Sequence, residues 1–210
     1  MRNQILLTLS ISLLAVQAFG YEEEDLARLR STSKCVKCDL SEADLGGALL
    51  MGASLISANL TGAKLQGTNL TNADLTNANL SEANMANANL FGANLVGTNL
   101  TETNLKQADL SWADLSEANM RGANLSKTDF TKANLSRANL RETKLQKSDL
   151  RGADLRGADL RGAVLTAAYL NEANFDGADL RKANLYRASM RGATLCNTID
   201  PEGGKINKDC

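Results

Sequence analysis

A large apolar residue occupies every fifth position from Leu40 to Leu195, 32 times in succession and without a slip. Leucine fills 27 of these positions, and Met85, Met120, Phe130, Phe175 and Met190 fill the others. Two residues before each stands a small one, alanine in 25 cases and otherwise Thr, Ser or Cys38. Asn or Asp separates the two in 24 of the 32 repeats, so the unit reads A-(N/D)-L-x-x, as in Ala73-Asp74-Leu75. So strict a period limits the shapes the backbone can take.

An α-helix fits it badly. Five residues advance about 500°, or 140° net, which scatters successive leucines around the whole helix. A straight strand fails because five is odd: each small residue and the Leu two after it share a face, but the next pair lands on the opposite one. Both sets reach one interior only if the chain turns a corner in every repeat. Four corners of one hand close a coil of about 20 residues, with residue n stacked over n+20. At ~4.8 Å per layer, the repeat predicts an all-β solenoid of about eight coils, a rod ~38 Å long. Each buried Leu contributes roughly 1.5–3 kcal/mol, so a core exists despite an aromatic content of only 4%. The narrow interior calls for a small residue beside each Leu. Asn and Asp tolerate turn dihedrals and bond nearby backbone, which assigns them to the corners.

With these residues, positions 38 to 195 resemble the pentapeptide-repeat protein family. The resemblance implies a right-handed quadrilateral β-helix, the tube that the parity argument reaches independently. A fold of this kind implies almost nothing about activity.

Outside the repeat the chain changes character. Residues 1–20 carry Arg2, a short apolar run from Ile5 to Val16, and small residues suited to cleavage after Ala18 or Gly20. This reads as a secretory signal peptide, too short and too polar for a membrane span, so no membrane insertion is expected after cleavage. Residues 21–34 read as an N-terminal capping helix, acidic at its start and basic at its end, with Leu26 and Leu29 facing the first coil. Leu49, Met51 and Ile56, outward positions near that end, are expected to meet the same helix. Residues 35–195 form the β-helix and 196–210 a C-terminal cap. There Pro201 and Gly203-Gly204 mark a turn between two short apolar stretches. This reads as a hairpin over the open last coil, stapled by a Cys196–Cys210 disulfide worth about 3 kcal/mol. The tail resembles that of exported pentapeptide-repeat proteins of photosynthetic bacteria and plastids, where a cysteine pair brackets a Pro-Glu/Asp-Gly turn.

Cys35-Val-Lys-Cys38 admits three readings: a thioredoxin-like redox pair, two ligands of a zinc site, or two inward-facing residues oxidised to each other. The first needs a helix N-terminus after a strand. The second needs four ligands, and the chain has no histidine. The exported family that the chain resembles carries such a pair at this junction, which implies the third.

The net charge of −1 conceals an asymmetry. Residues 21–120 hold 13 acidic and 6 basic side chains, giving −7, whereas residues 121–210 hold 11 and 16, giving +5. The 20-residue coil stacks Arg121, Arg141, Arg161 and Arg181 on one face, a candidate surface for an anionic partner. Against this, Arg151, Arg156, Arg161 and Arg181 each follow an Asp by two residues and are placed to pair with it. Phe91 and Trp112 fall on neighbouring coils at outward positions, as candidates for a protein interface. Tyr169 and Tyr186 also point outward.

No phosphate loop, nucleophile elbow or metal cluster appears, so no catalytic, cofactor-binding or metal residue is assigned and no enzyme activity is expected. The reading is an exported structural or protein-interaction rod, placed in the periplasm, the thylakoid lumen or outside the cell, with an unnamed protein partner. An alternative comes from another branch of the family, whose rods mimic duplex DNA and bind type II topoisomerases. That role calls for an acidic surface and a cytoplasmic address, and this chain departs from both. Nucleic acid is not an expected partner, and oligomeric state is not legible.

Overall fold

The computed structural model describes residues 21–208 and 210. The signal peptide expected at 1–20 lies outside them. From Lys34 to Ile199 the residue between the small and the large apolar position pairs, in parallel, with the residue 20 ahead. The pairs Lys34–Ser54, Asp39–Asn59, Asp44–Lys64 and Leu49–Asn69 open four such columns, one per wall of a square coil. Each pair brings two backbone bonds: Leu60 N–H donates to the Asn79 carbonyl at 2.7 Å, and Asn79 N–H to that of Ala58 at 2.9 Å. One residue per wall is extended and the rest of each pentad is consumed in turning.

The corners have one geometry throughout. The small residue's N–H donates to the carbonyl of the preceding Leu, as from Ala73 to Leu70 at 2.9 Å. Positive φ falls on the second residue after each Leu, for example 55° at Asn72, 64° at Gly92 and 61° at Trp112. The residue before it is never in that region, which together define type II turns. The expectation that Asn and Asp take the corner dihedrals is therefore wrong. They stand in the extended ladder, and the left-handed conformation sits three residues later. Their expected bonding to nearby backbone does occur: Asn69 Oδ1 accepts from Thr71 N–H at 3.1 Å, and Asn134 Oδ1 from Ser136 N–H at 3.1 Å. Their amides also link coils, as when Asn139 Nδ2 donates to Asn119 Oδ1 at 2.9 Å.

The interior is a continuous column of leucine and alanine, nearly all sealed from solvent. Where threonine or serine replaces alanine, the buried hydroxyl finds a carbonyl: Thr68 on Leu45, Thr103 on Leu80 and Ser148 on Leu145, each at 2.7 Å. No desolvated donor is left over at these slots.

Helix α1 spans Glu23–Thr32 and closes the first coil. Glu23, Glu24 and Asp25 lie in its first turn and Arg30 in its last, in accord with the helix dipole. Leu26 and Leu29 are buried against the core. The helix is pinned by Asp25 Oδ2, which accepts from Asp39 N–H at 2.7 Å. The helix does not cover Leu49 and Met51, which are 80% and 61% exposed, although Leu49 lines a cleft with Leu29 and Arg30 of the helix; Ile56 is half-buried. The ten-residue helix turns its apolar side into the coil's end and leaves these wall positions uncovered.

At the other end, β1 (Leu195–Ile199) and β2 (Lys205–Lys208) form an antiparallel hairpin. Its β1 strand continues the wall, because Leu180 N–H donates to the Ile199 carbonyl and Lys182 N–H to that of Pro201, both at 2.8 Å. The hairpin does not lie over the whole last coil as expected. Leu185, Met190 and Leu195 are only partly buried, since β1 rises from one wall and leaves the neighbouring corners unroofed.

Candidate functional site

Both cysteine pairs are joined, Cys35 to Cys38 and Cys196 to Cys210, with Cα atoms 5.2 and 5.0 Å apart. Cys35 fills a large slot and Cys38 a small slot of the first corner, and both are buried. Sulfur atoms turned into the core and shielded from solvent are poorly placed to exchange with a second thiol. Among the described residues, no group of three or more His, Cys, Asp or Glu could hold a metal ion. No helix among them is long and apolar enough to cross a membrane.

The aromatic candidates do come together. Gly92 N–H, next to Phe91, donates to the carbonyl of Ser111, next to Trp112, at 3.0 Å. Phe91 and Trp112 are thus neighbours on successive coils, 42% and 58% exposed. Lys132, one coil further, places Nζ 4.8 Å from the Trp112 ring centroid, a cation–π contact that orients the indole. Trp112 occupies a corner with φ of 61°, where glycine is the unstrained choice. Tyr169 and Tyr186 are exposed elsewhere, Tyr186 beneath the Arg187 guanidinium at 5.2 Å.

The arginines divide into two groups. Arg151, Arg156, Arg161 and Arg181 each bind the Asp two residues earlier through Nε and Nη2, with Nη2–Oδ2 distances of 2.6, 2.6, 2.5 and 2.6 Å. Arg161 Nε also approaches Asp179 at 3.6 Å. At Asp149 and Asp154 burial pushes the carboxyl up, but hydrogen bonds and charge from Arg151 and Arg156 outweigh it and hold both below the usual range. At Asp159 and Asp179 the hydrogen bond from Arg161 or Arg181 is the largest effect and again lowers the carboxyl. A depressed folded-state pKa stabilises the fold above the unfolded value, near ~3.9, and that contribution disappears as pH falls through the folded value. Thermal unfolding is therefore expected to be flat in pH from about 7 to 5 and to fall below about 4. At Asp154 the Asp154→Asn variant should blunt the acid limb modestly, since exposed pairs contribute only ~0–1 kcal/mol each.

The second group, Arg121 and Arg141, follows Asn rather than Asp. Arg121 instead binds Glu142 one coil on, at 3.1 Å. Among the described residues Arg141 makes no ion pair, although its charge helps to lower the Asp159 carboxyl, and its Nε is buried without a hydrogen-bond acceptor. The four arginines do stack as a column, and Arg141 is the one member without an ion pair among the described residues. Sequence reasoning missed this distinction, although the signal was present in Asn119 and Asn139. It also missed the bare apolar wall at Leu49 and Met51.

The pentapeptide-repeat family, described as pentapeptide repeats, matches in eight copies over residues 33–72, 68–107, 108–146, 133–168 and 158–197. No curated protein matches the chain. Among solved structures, it is similar to HetL, a pentapeptide repeat protein involved in heterocyst differentiation regulation from the cyanobacterium Nostoc sp. strain PCC 7120. The identity is 38% over 82% of this chain and 78% of that one, with a TM-score of 0.81. It is also similar to full-length QnrB1, a plasmid-mediated fluoroquinolone resistance protein, at 22% identity over 78% of this chain and 82% of that one, with a TM-score of 0.58. The latter likeness is one of fold alone. The unbroken pentads, the four ladder columns and these matches establish that the chain belongs to the pentapeptide-repeat family, whose fold is the right-handed quadrilateral β-helix.

Proposed function

We propose that this protein is an exported, non-catalytic interaction rod that binds a protein partner through the wall carrying Phe91 and Trp112. The observation that carries the reading is Trp112. A large aromatic stands exposed, oriented by Lys132, at a backbone position that glycine would occupy without strain. A neighbouring exposed Phe91 supplies the second half of an anchor. Export fits a chain whose four cysteines are all paired, since disulfides persist in oxidising compartments such as the periplasm or a thylakoid lumen. On this reading residues 1–20 are removed, 21–34 and 196–210 close the ends, and 35–195 present the faces.

The test separates surface from scaffold. Trp112→Gly should leave the unfolding temperature unchanged or raise it, because it relieves the left-handed strain. Recovery of partner from the exported compartment should nonetheless drop at least about tenfold in Phe91→Ala/Trp112→Gly, as for hot-spot aromatics. Undiminished recovery would dismiss this surface. Protein isolated from cytoplasm with residues 1–20 intact would dismiss the placement. The topoisomerase reading would be revived by inhibition of gyrase supercoiling at low concentration of the purified chain.

A further inference from the structure

The two ends of the rod are closed unequally. At Leu165, Ala167, Leu170 and Glu172 the N–H donates to a carbonyl of the next coil, at 2.8, 2.9, 2.7 and 3.0 Å. Their counterparts on the last coil, Leu185, Arg187, Met190 and Gly192, donate to nothing among the described residues. The Ala183 and Ala188 carbonyls likewise accept no N–H there, whereas that of Ala163 accepts from Asn184 at 2.9 Å. Strand β1 meets the chain up to Lys182, and β2 meets it again from Leu195. The free edge is the two walls and one corner between them, with four donors against two acceptors.

The same coil is basic. Residues 180–199 contain Arg181, Lys182, Arg187 and Arg191 and no acidic side chain. Asp179 and Glu172, on the coil below, offset part of this charge. Over residues 180–208 there are six basic side chains and two acidic ones, Asp200 and Glu202. Of these, Asp200 is turned onto the Glu202 and Gly204 amides. Tyr186 stands at the corner between the free walls, 62% exposed, and Leu185 and Met190 are only partly buried.

The opposite end shows what closes an edge of this fold. There Glu22 N–H donates to the Asp39 carbonyl at 3.2 Å, and Asp25 Oδ2 accepts from Asp39 N–H at 2.7 Å. An acidic segment meets the ladder with both its backbone and a carboxylate.

We infer that the free edge of the last coil receives an acidic, extended segment of a partner protein, added as a further strand. Its carbonyls and carboxylates accept from the four unpaired N–H groups, and such main-chain bonding is a recurring mode of peptide capture. Its acidic side chains face Lys182, Arg187 and Arg191. Two occupants supplied by this chain fit less well. Residues 1–20 contain no Asp or Glu. A second copy would bring the same basic coil and the same excess of donors to the contact. This surface is separate from that of Phe91 and Trp112 and does not depend on it.

The experiment uses the full chain and a blocked peptide of alternating Glu and Val, ~10 residues long, enough for two walls. One control peptide replaces Glu by Lys. A second carries N-methyl groups on alternate backbone nitrogens, which keep the charge and prevent strand pairing. Calorimetry reads binding, and amide hydrogen exchange reads pairing. The acidic peptide is expected to bind and to slow exchange at Leu185, Arg187, Met190 and Gly192 at least about tenfold, and the controls to do neither. Arg187→Glu/Arg191→Glu should weaken binding at least about tenfold. Lys127→Glu, exposed in mid-rod, should leave it unchanged. Glutamate already holds the same left-handed corner at Glu172, so equal unfolding temperatures check that the fold persists. Binding without protection of those amides, or equal binding of the N-methylated peptide, would mean charge attraction alone and overturn the inference. So would absence of binding, or self-association that protects the same amides without peptide, which assigns the edge to a second copy.

Discussion

Leu115→Ala is expected to lower the unfolding free energy by about 2–5 kcal/mol, the range for truncating a fully packed leucine. Leu115 is completely buried midway along the rod, with leucines or methionine in the slots on either side and leucines one coil above and below. Its backbone is held from both directions, since Leu115 N–H donates to the Asn134 carbonyl at 2.7 Å and Ala118 N–H to the Leu115 carbonyl at 3.1 Å. The walls therefore cannot collapse into the space, and the upper part of the range is expected. Leu185→Ala, at the half-open final coil, should cost distinctly less because its side chain is already partly wet. Chemical denaturation of the two variants checks the ordering. Equal losses would mean that the column is not a uniformly packed interior.

Deleting one residue from a mid-rod corner, such as Ser116, should do more damage than any point substitution. The deletion turns one pentad into four residues and shortens one coil to 19. Residues beyond it then present the wrong side chain to each ladder position. Asn119 would no longer meet both Thr98, whose carbonyl accepts its N–H at 2.9 Å, and Asn139, whose side-chain Nδ2 donates to Asn119 Oδ1 at 2.9 Å. The structure must either expel a coil or break in two. Burial of four leucines at ~1.5 kcal/mol each sets the loss at no less than roughly 6 kcal/mol, enough to abolish a single cooperative transition in thermal denaturation. Deleting the whole pentad 116–120 is the control. It turns the downstream rod by one wall but keeps every leucine inside, so cooperative melting should survive. If both deletions melt alike, the five-residue unit is not the element that sets the register.

The same register explains why so much of the fold is legible in the residues. Because five is odd, the period admits only a chain that corners at every repeat, and the 20-residue stacking follows from closing four corners. Those inferences needed no energy terms. The dihedral assignment failed because Asn and Asp are common at two kinds of site. Their side chains accept from the N–H two residues on, which stabilises the turn from outside it, while the strained residue is the one before each alanine. Composition could have shown this: glycine recurs at that position, as at Gly92, Gly122 and Gly162. The ends were harder to read. Nothing in the spacing of Leu26 and Leu29 says that α1 leaves Leu49 and Met51 largely exposed. Nothing in the tail says that β1 extends a wall rather than crossing the coil. The candidate surfaces were legible as positions and not as partnerships. That Arg141 makes no ion pair among the described residues depends on one Asn in place of Asp, a difference visible only once neighbouring coils are set side by side.

The ladder has a kinetic corollary. Its backbone bonds join residues about 20 apart, wherever along the rod they fall. Lengthening such a molecule adds steps without making any step more remote, so the entropy of chain closure is the same for the eighth coil as for the second. Folding can begin at any pentad that has found its neighbour and spread outward in both directions. The speed of each advance is then set by local geometry rather than by total size.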